Sequence, residues 1–321
     1  MLRTAANIVA ALTLCAPLAV ALASLVGHGH RWPDILTQFP APALGATVAL
    51  LLVLCLFRLW PAAAFAGVVA GLLLLALQPQ WFPAQGRVGA GARPGFTLYS
   101  ANLWARNDDV AAMRRSIEAA DADVLVLIEF GDAANGAIDD LLAGYPHRAV
   151  TRRHGRGAGG PVRSVIASRL PLTPQDGDGR NIETAVARVE TPMGPVTVVG
   201  AHLTRPWPFQ YQWGQINQAD ALLTRTAALE RPLVIAGDFN ATVAGRIGRK
   251  MRSEGGLTAA GGYPGTWPVK LPAPLRITID QVYHTPDLVA VDRRLGLPTG
   301  SDHRPVVVEF RAVGLTPHMF G

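Results

Sequence analysis

The stretch Thr299–Phe310, T-G-S-D-H-R-P-V-V-V-E-F, sets a carboxylate and an imidazole side by side, Asp302 and His303, just before a run of β-branched residues. Val306 to Phe310 reads as a buried strand, and Pro305 suits its first position, where no ladder donor is needed. The pair therefore stands at a strand mouth. Working back along the chain, other apolar runs end in the same way. Asn102 follows T-L-Y-S-A, Glu129 follows V-L-V-L-I, His202 follows V-T-V-V-G-A, and Asp238 and Asn240 follow L-V-I-A-G. Asp280 interrupts I-T-I-D-Q-V-Y. If these strands share one edge, their polar ends converge on one mouth.

The set has a definite chemistry. Glu129, Asp238, Asp280 and Asp302 are carboxylates, His202 and His303 imidazoles, Asn102 and Asn240 carboxamides. No serine nucleophile is paired with a base, and both cysteines, Cys15 and Cys55, fall in apolar N-terminal segments, which excludes thiol chemistry from the rest of the chain. Oxygen-rich ligands suit a hard cation, Mg²⁺ with Mn²⁺ as the alternative, rather than zinc. Each residue also has an ordinary reading. Glu129 can be a solvated strand end, Asn102 can satisfy a turn, Asp238-Phe239-Asn240 can form an Asx turn, and the histidines can belong to the core. The order of all of them together is what carries information.

Short apolar runs alternate with helical patterns after residue 95. Strands are predicted at Phe96–Leu103, Asp123–Ile128, Val162–Ala167, Thr184–Val189, Val196–Ala201, Leu233–Ala236 and Ile277–Tyr283. Helices are predicted from a cap at Asn107 through Ala120, and over Gln215–Leu229. The mixture suggests an α/β sandwich with mixed sheets. Gly155 to Gly160 lies in a basic, glycine-rich loop with no strand before it and no helix after it, so a dinucleotide fingerprint is a poor reading. The loop could set Arg152, Arg153 and Arg156 over a substrate. The aromatic cluster Trp207, Phe209, Tyr211 and Trp213 could line a substrate groove, meet a bilayer surface or pack on the following helix.

The N-terminal quarter is of another kind. Thr4–Gly27, Ile35–Phe57 and Leu59–Gly86 carry no charge, and each exceeds the about 20 apolar residues that a helix needs to cross a hydrocarbon core. Three transmembrane helices are expected in residues 1–80, followed by a linker over 81–94, a sandwich domain over 95–314 and a tail over 315–321. A cleaved secretory signal is the competing reading of the first segment, with Ala21-Leu22-Ala23 as the cleavage site. Arg3 and Arg58 on the cytoplasmic side would leave Arg31 and Asp34 across the inner membrane, with the sandwich domain on the same periplasmic side. Of 29 basic and 23 acidic residues, 26 and 22 follow residue 80. That excess is modest and shows no long Lys/Arg stripe of the kind expected for nucleic-acid binding.

The pieces S-A-N-L-W, D-V-L-V-L-I-E-F, S-V-I-A-S-R-L-P-L, V-V-G-A-H-L, I-A-G-D-F-N-A-T, T-I-D-Q-V-Y and G-S-D-H-R-P-V, from Ser100 to Val306, resemble the endonuclease/exonuclease/phosphatase family in their order. The segment G-T-W-P, Gly265 to Pro268, looks like a membrane-anchored bacterial branch. The resemblance implies a four-layer α/β/β/α sandwich of the deoxyribonuclease I kind, with the site at one edge. It implies Glu129 as principal metal ligand with Asn102 and Asp302 near it, His303 as base and Asp280 as its partner. Asp238 and Asn240 would touch the scissile phosphate or help hold a second ion, and His202 would bind a non-bridging oxygen or protonate the leaving group. Family accounts also allow the aspartate of G-D-F-N as base; His303 is preferred because its unperturbed pKa lies near working pH. The implied activity is metal-assisted hydrolysis of a phosphodiester, either a lipid head group or nucleic acid. A catalytically silent module that binds a phosphorylated ligand or a protein is the alternative. Gln281 departs from the family pattern, where many relatives carry His or Tyr.

Overall fold

Short runs of about four to eight apolar residues suit strands covered on both faces, and such runs occupy the sheet centres here. The computed structural model describes residues 1–27, 30, 32–83, 88, 94–152, 162–175, 178–179 and 182–313. Its strands are β1 Phe96–Asn102, β2 Val124–Ile128, β3 His147–Arg152, β4 Val162–Ser168, β5 Leu172–Gln175, β6 Asp178–Gly179 and β7 Ile182–Thr191. Then come β8 Gly194–His202, β9 Leu233–Asp238, β10 Thr258–Ala259, β11 Asp280–His284, β12 Leu288–Leu295 and β13 Val306–Ala312. The α-helices are α1 Leu2–Val26, α2 Pro40–Leu56, α3 Trp60–Trp81, α4 Val110–Ala120, α5 Asp132–Gly136, α6 Ile138–Leu141, α7 Gln212–Ala227 and α8 Arg246–Ser253.

One sheet runs β12-β13-β1-β2-β4-β3, the other β10-β11-β9-β8-β7-β5, with β6 paired to β7. Each has a parallel pair near its centre, β1 with β2 and β8 with β9. On the outer side of each pair an antiparallel strand returns, β13 along β1 and β11 along β9. The C-terminal ends of β1, β2, β8 and β9 and the N-terminal ends of β11 and β13 therefore share one edge.

Alternation within the strands makes the layers. Leu98, Val126 and Ile166 of the first sheet meet Val198, Val234 and Val282 of the second in a central core. The intervening residues face outward. Tyr99, Leu125 and Leu127 pack on Met113 and Ile117 of α4, while Val199, Ile235 and Tyr283 pack on Ile216, Ala219 and Leu222 of α7. The expected helix-sheet-sheet-helix order is what these three cores build. At roughly 1.5–3 kcal/mol for each large apolar side chain, they supply the driving force without a disulfide.

Three expectations need correction. Asp109, not Asn107, caps α4, its Oδ1 accepting from Ala112 N at 2.9 Å; the Asn107 amide instead donates to Leu103 O and Thr299 O. The strand expected from Ile277 begins at Asp280, because Ile277 only bridges to Trp267. The third concerns the apolar helices. α1 and α3 are long and apolar enough to cross a membrane, whereas α2 has 17 residues. The charge-free run from Ile35 spends its first residues on a 3-10 turn, Pro33–Gln38, before Pro40 opens α2. These helices pack through Leu14, Leu54, Ala62 and Ala66, and through Ala21, Leu44, Val69 and Leu73. Their outer faces still expose Ile8, Leu12, Leu52, Leu56, Val68 and Leu75, an apolar surface unlike that of a water-facing helix.

Candidate active site

Strand register assembles the polar ends. His202 pairs with Asp238, and Asp238 with Asp280, so three neighbouring strands of one sheet reach the edge together. In the facing sheet Asn102 pairs with Ile128, which puts Glu129 beside it. Gly237 permits the close approach of β8 and β9: its φ is 145°, and a Cβ there would lie 2.0 Å from Ala201 O. Glu129 and Asn240 leave their strands with φ of 50° and 49°. Such conformations cost roughly 1–3 kcal/mol each and collect at functional sites.

The hydrogen bonds form one connected system. His303 Nδ1 lies 2.9 Å from Asp280 Oδ2 and 3.1 Å from Oδ1; a carboxylate accepts only, so Nδ1 carries the proton. The other ring nitrogen, Nε2, is then aimed toward Asp238 Oδ2, 3.9 Å away. Asn240 N donates to Asp238 Oδ1 at 2.8 Å, and Asn240 Nδ2 donates to Asp238 Oδ2 at 3.2 Å. Asn102 Nδ2 donates to both Glu129 Oε1 and Asp238 Oδ2, at 3.0 and 3.1 Å. His202 Nε2 stands 3.4 Å from Glu129 Oε1 and 3.8 Å from Asp238 Oδ2. Asp302 accepts from Trp267 Nε1 at 2.9 Å. Gln281 sits behind the site, its amide donating to Thr278 O and Ala241 O, so its departure from the family pattern supports the turn after Asn240.

Burial and charge divide the acids. Desolvation pushes Asp238 above the usual carboxylate range, opposed by His303 and seconded by Asp280. Burial alone would also raise Glu129, but His202, the Asn102 amide and the Ala105 N–H outweigh it and hold the carboxyl low. Burial favours neutral His303; Asp280, Asp238 and Asp302 reverse that and raise its pKa well above the ordinary value.

Ligand atoms of Glu129, His202 and Asp238 lie within 4.8 Å of one another, as do those of Asp238, Asp280 and His303. Each grouping holds two carboxylates and one imidazole, an oxygen-rich set that suits a hard divalent cation. Asn102 faces this cluster with its nitrogen, its Oδ1 being engaged by Trp104 N at 2.9 Å. Asp302 lies outside both groupings but lines the same cavity of about 240 Å³ as Glu129, Asp238, Asn240 and His303. A larger cavity, about 680 Å³, lies beside Trp81 and Tyr263 and holds none of these residues.

The remaining expectations fall as follows. Arg153, Arg156 and the side chain of Arg152 lie outside the described residues. Phe209 lines the cavity, whereas Trp207 packs edge-on against Trp32 with ring centroids 4.6 Å apart. Several lining residues went unread in the sequence as part of the site, among them Arg205, Trp267, and Ile35, Gln38 and Phe39 from the segment between α1 and α2. For that segment the only local signal was Asp34, the one acid in an otherwise apolar quarter of the chain.

The model of the Endonuclease/Exonuclease/phosphatase family matches residues 99–303. Among solved structures, an endonuclease/exonuclease/phosphatase from Beutenbergia cavernae DSM 12333 is 22% identical with a TM-score of 0.50, over 69% of this chain and 72% of that one. A second, from Bacteroides vulgatus, is 14% identical with a TM-score of 0.53, over 68% and 99%. The human Nocturnin catalytic domain, with bound sulfate anion, is 16% identical with a TM-score of 0.50, over 68% and 94%. At such identities these likenesses speak for the fold. A search among curated proteins finds no match.

Proposed function

The chain belongs to the endonuclease/exonuclease/phosphatase family, and from that premise we propose that it is a membrane-anchored, divalent-cation-dependent phosphoesterase that cleaves a phosphodiester by in-line attack of water. The observation that carries this reading is the unbroken run of contacts from Glu129 through His202 and Asp238 to His303 and Asp280. A binding module does not need a complete acid-base set of this kind. The sulfate held by the Nocturnin domain is a tetrahedral anion of the same shape as a phosphoryl group, and it agrees with the reading.

In this proposal Asp280 fixes the proton on His303 Nδ1, so that Nε2 is free to take a proton from the attacking water. Glu129 and Asp238 would hold the cation, Mg²⁺ with Mn²⁺ as alternative, with Asp302 nearby, while the Asn102 amide positions the two carboxylates by donating to both. When bound, the cation supplies positive charge against the phosphoryl oxygens as negative charge builds up there. His202 stands where it could donate to a non-bridging oxygen or to the leaving group, and Asn240 holds Asp238 in place through two hydrogen bonds.

The anchoring reading rests on α1 and α3 as spans, with α2 as a shorter third. With three crossings the α1–α2 link and the sandwich must lie on one side. Thr242 Oγ1 donating to Thr37 O at 2.8 Å and Arg246 N donating to Asp34 Oδ1 at 2.7 Å agree with that. Arg3 and Arg58 then share the opposite, cytoplasmic side, and the sandwich over 95–314 is extracytoplasmic.

Hydrolysis of bis(p-nitrophenyl) phosphate by the full-length chain in detergent is the test. Turnover should require Mg²⁺ and fall about a hundred- to ten-thousandfold in His303→Ala. Metal-independent turnover, or none, sinks the proposal.

A further inference from the structure

The 3-10 turn Pro33–Gln38 between the first two apolar helices is fastened to the sandwich beside the active site. Asp34 Oδ1 accepts from Arg246 N at 2.7 Å, at the first residue of α8, and lies 3.8 Å from the Arg249 guanidinium. Thr37 O accepts from Thr242 Oγ1, and Gln38 Nε2 donates to Asn240 O at 3.4 Å. Asp34, Thr37 and Gln38 are all buried. Gly245 admits the turn, since a Cβ there would lie 2.9 Å from Thr37 Oγ1. These contacts reach from the apolar quarter of the chain to Asn240, the residue that holds Asp238.

The consequence lies in the cavity. Its floor is charged, with Glu129, Asp238, Asp302 and His303, while Ile35 and Phe39 from the turn and Phe209 from the sandwich contribute apolar surface. Gln38 lines it too, its Nε2 donating to Asn240 O. Phe39 is the residue that precedes α2, so the chain runs from this side of the cavity directly into the apolar helices. Arg205 also lines the cavity and offers one cation to a phosphate, but the wall of Ile35 and Phe39 offers no charge to the further phosphates that a polynucleotide would bring.

We propose that the turn is a specificity wall, and that the site takes an amphiphilic phosphodiester whose phosphate lies at the charged floor and whose alkyl chain lies along Ile35, Phe39 and Phe209. The proposal rests on the phosphoesterase reading above. It is tested with the full-length chain in detergent micelles and Mg²⁺, by comparing kcat/KM for p-nitrophenyl ethyl phosphate and p-nitrophenyl octyl phosphate. Wild type should prefer the octyl ester by about tenfold or more, from burial of the added methylenes. The ratio should fall toward unity in Ile35→Ser/Phe39→Ser. It should also fall in Phe209→Ser, which lies outside the turn and leaves its docking intact. A wild type without preference, a ratio within about twofold of wild type in either variant, or better cleavage of an oligonucleotide than of the octyl ester overturns the wall alone. Turnover of neither ester while bis(p-nitrophenyl) phosphate is cleaved also overturns the wall alone; turnover of none of the three overturns the phosphoesterase reading, and the wall falls with it.

Discussion

Asp238 is 2% exposed and has an imidazole on each side, His202 at 3.8 Å and His303 at 3.9 Å. Taking a carboxylate out of water costs several kcal/mol unless cations or donors compensate, and here they do so through two asparagines and two histidines. The same crowding raises the pKa of His303, because three carboxylates favour its charged form. As a base His303 must be neutral, so kcat/KM should rise with pH through that raised pKa. A cation held by Glu129 and Asp238 offsets the carboxylates and repels the imidazolium proton, which lowers it. The rising limb of kcat/KM should therefore move to lower pH as Mg²⁺ is increased, and a limb that stays fixed would speak against this linkage. These ionisable residues were legible in the sequence because each interrupts or ends an apolar run. Gln38 and Trp267 were not, since their roles lie in contacts to residues far away in the chain.

Among the elements, α8 depends on a residue about two hundred positions away. Its first amide is received by Asp34, a carboxylate at a helix N-terminus, where the dipole favours negative charge. Burial raises the Asp34 pKa, while the Arg246 N–H and Arg249 draw it back. Asp34→Ala should destabilise α8 by about 1 kcal/mol, and Asp34→Asn, which keeps an acceptor, by less. Hydrogen exchange over residues 246–249 reads this directly, and unchanged protection in the alanine variant would count against the docked turn. The central strands were legible as continuous apolar runs. The edge strands β3 and β12 were not predicted, because an edge strand needs no such run: β12 carries Asp292, Arg293 and Arg294 and still pairs with β13 through Leu295. Asn107 resembled a cap by residue type, but its amide is spent on Thr299 O across the fold.

At the scale of the whole molecule, the apolar quarter and the sandwich meet through the turn at Pro33–Gln38 and through Trp81, which packs edge-on against Tyr263 with ring centroids 5.2 Å apart. This has a topological consequence. An alkaline phosphatase fusion after Pro94 should be active and one after Arg58 inactive, and stably expressed fusions with the opposite pattern would invert the orientation. The sequence by itself determined the sandwich, its central strands and the ionisable groups at their ends, because two-sided burial and donor chemistry are written in neighbouring residues. Only the tertiary structure decided that Asp238 links two histidines, that β11 starts at Asp280 and that a turn from the apolar quarter walls the cavity. Those outcomes depend on register and on packing between distant segments, to which local patterns are blind.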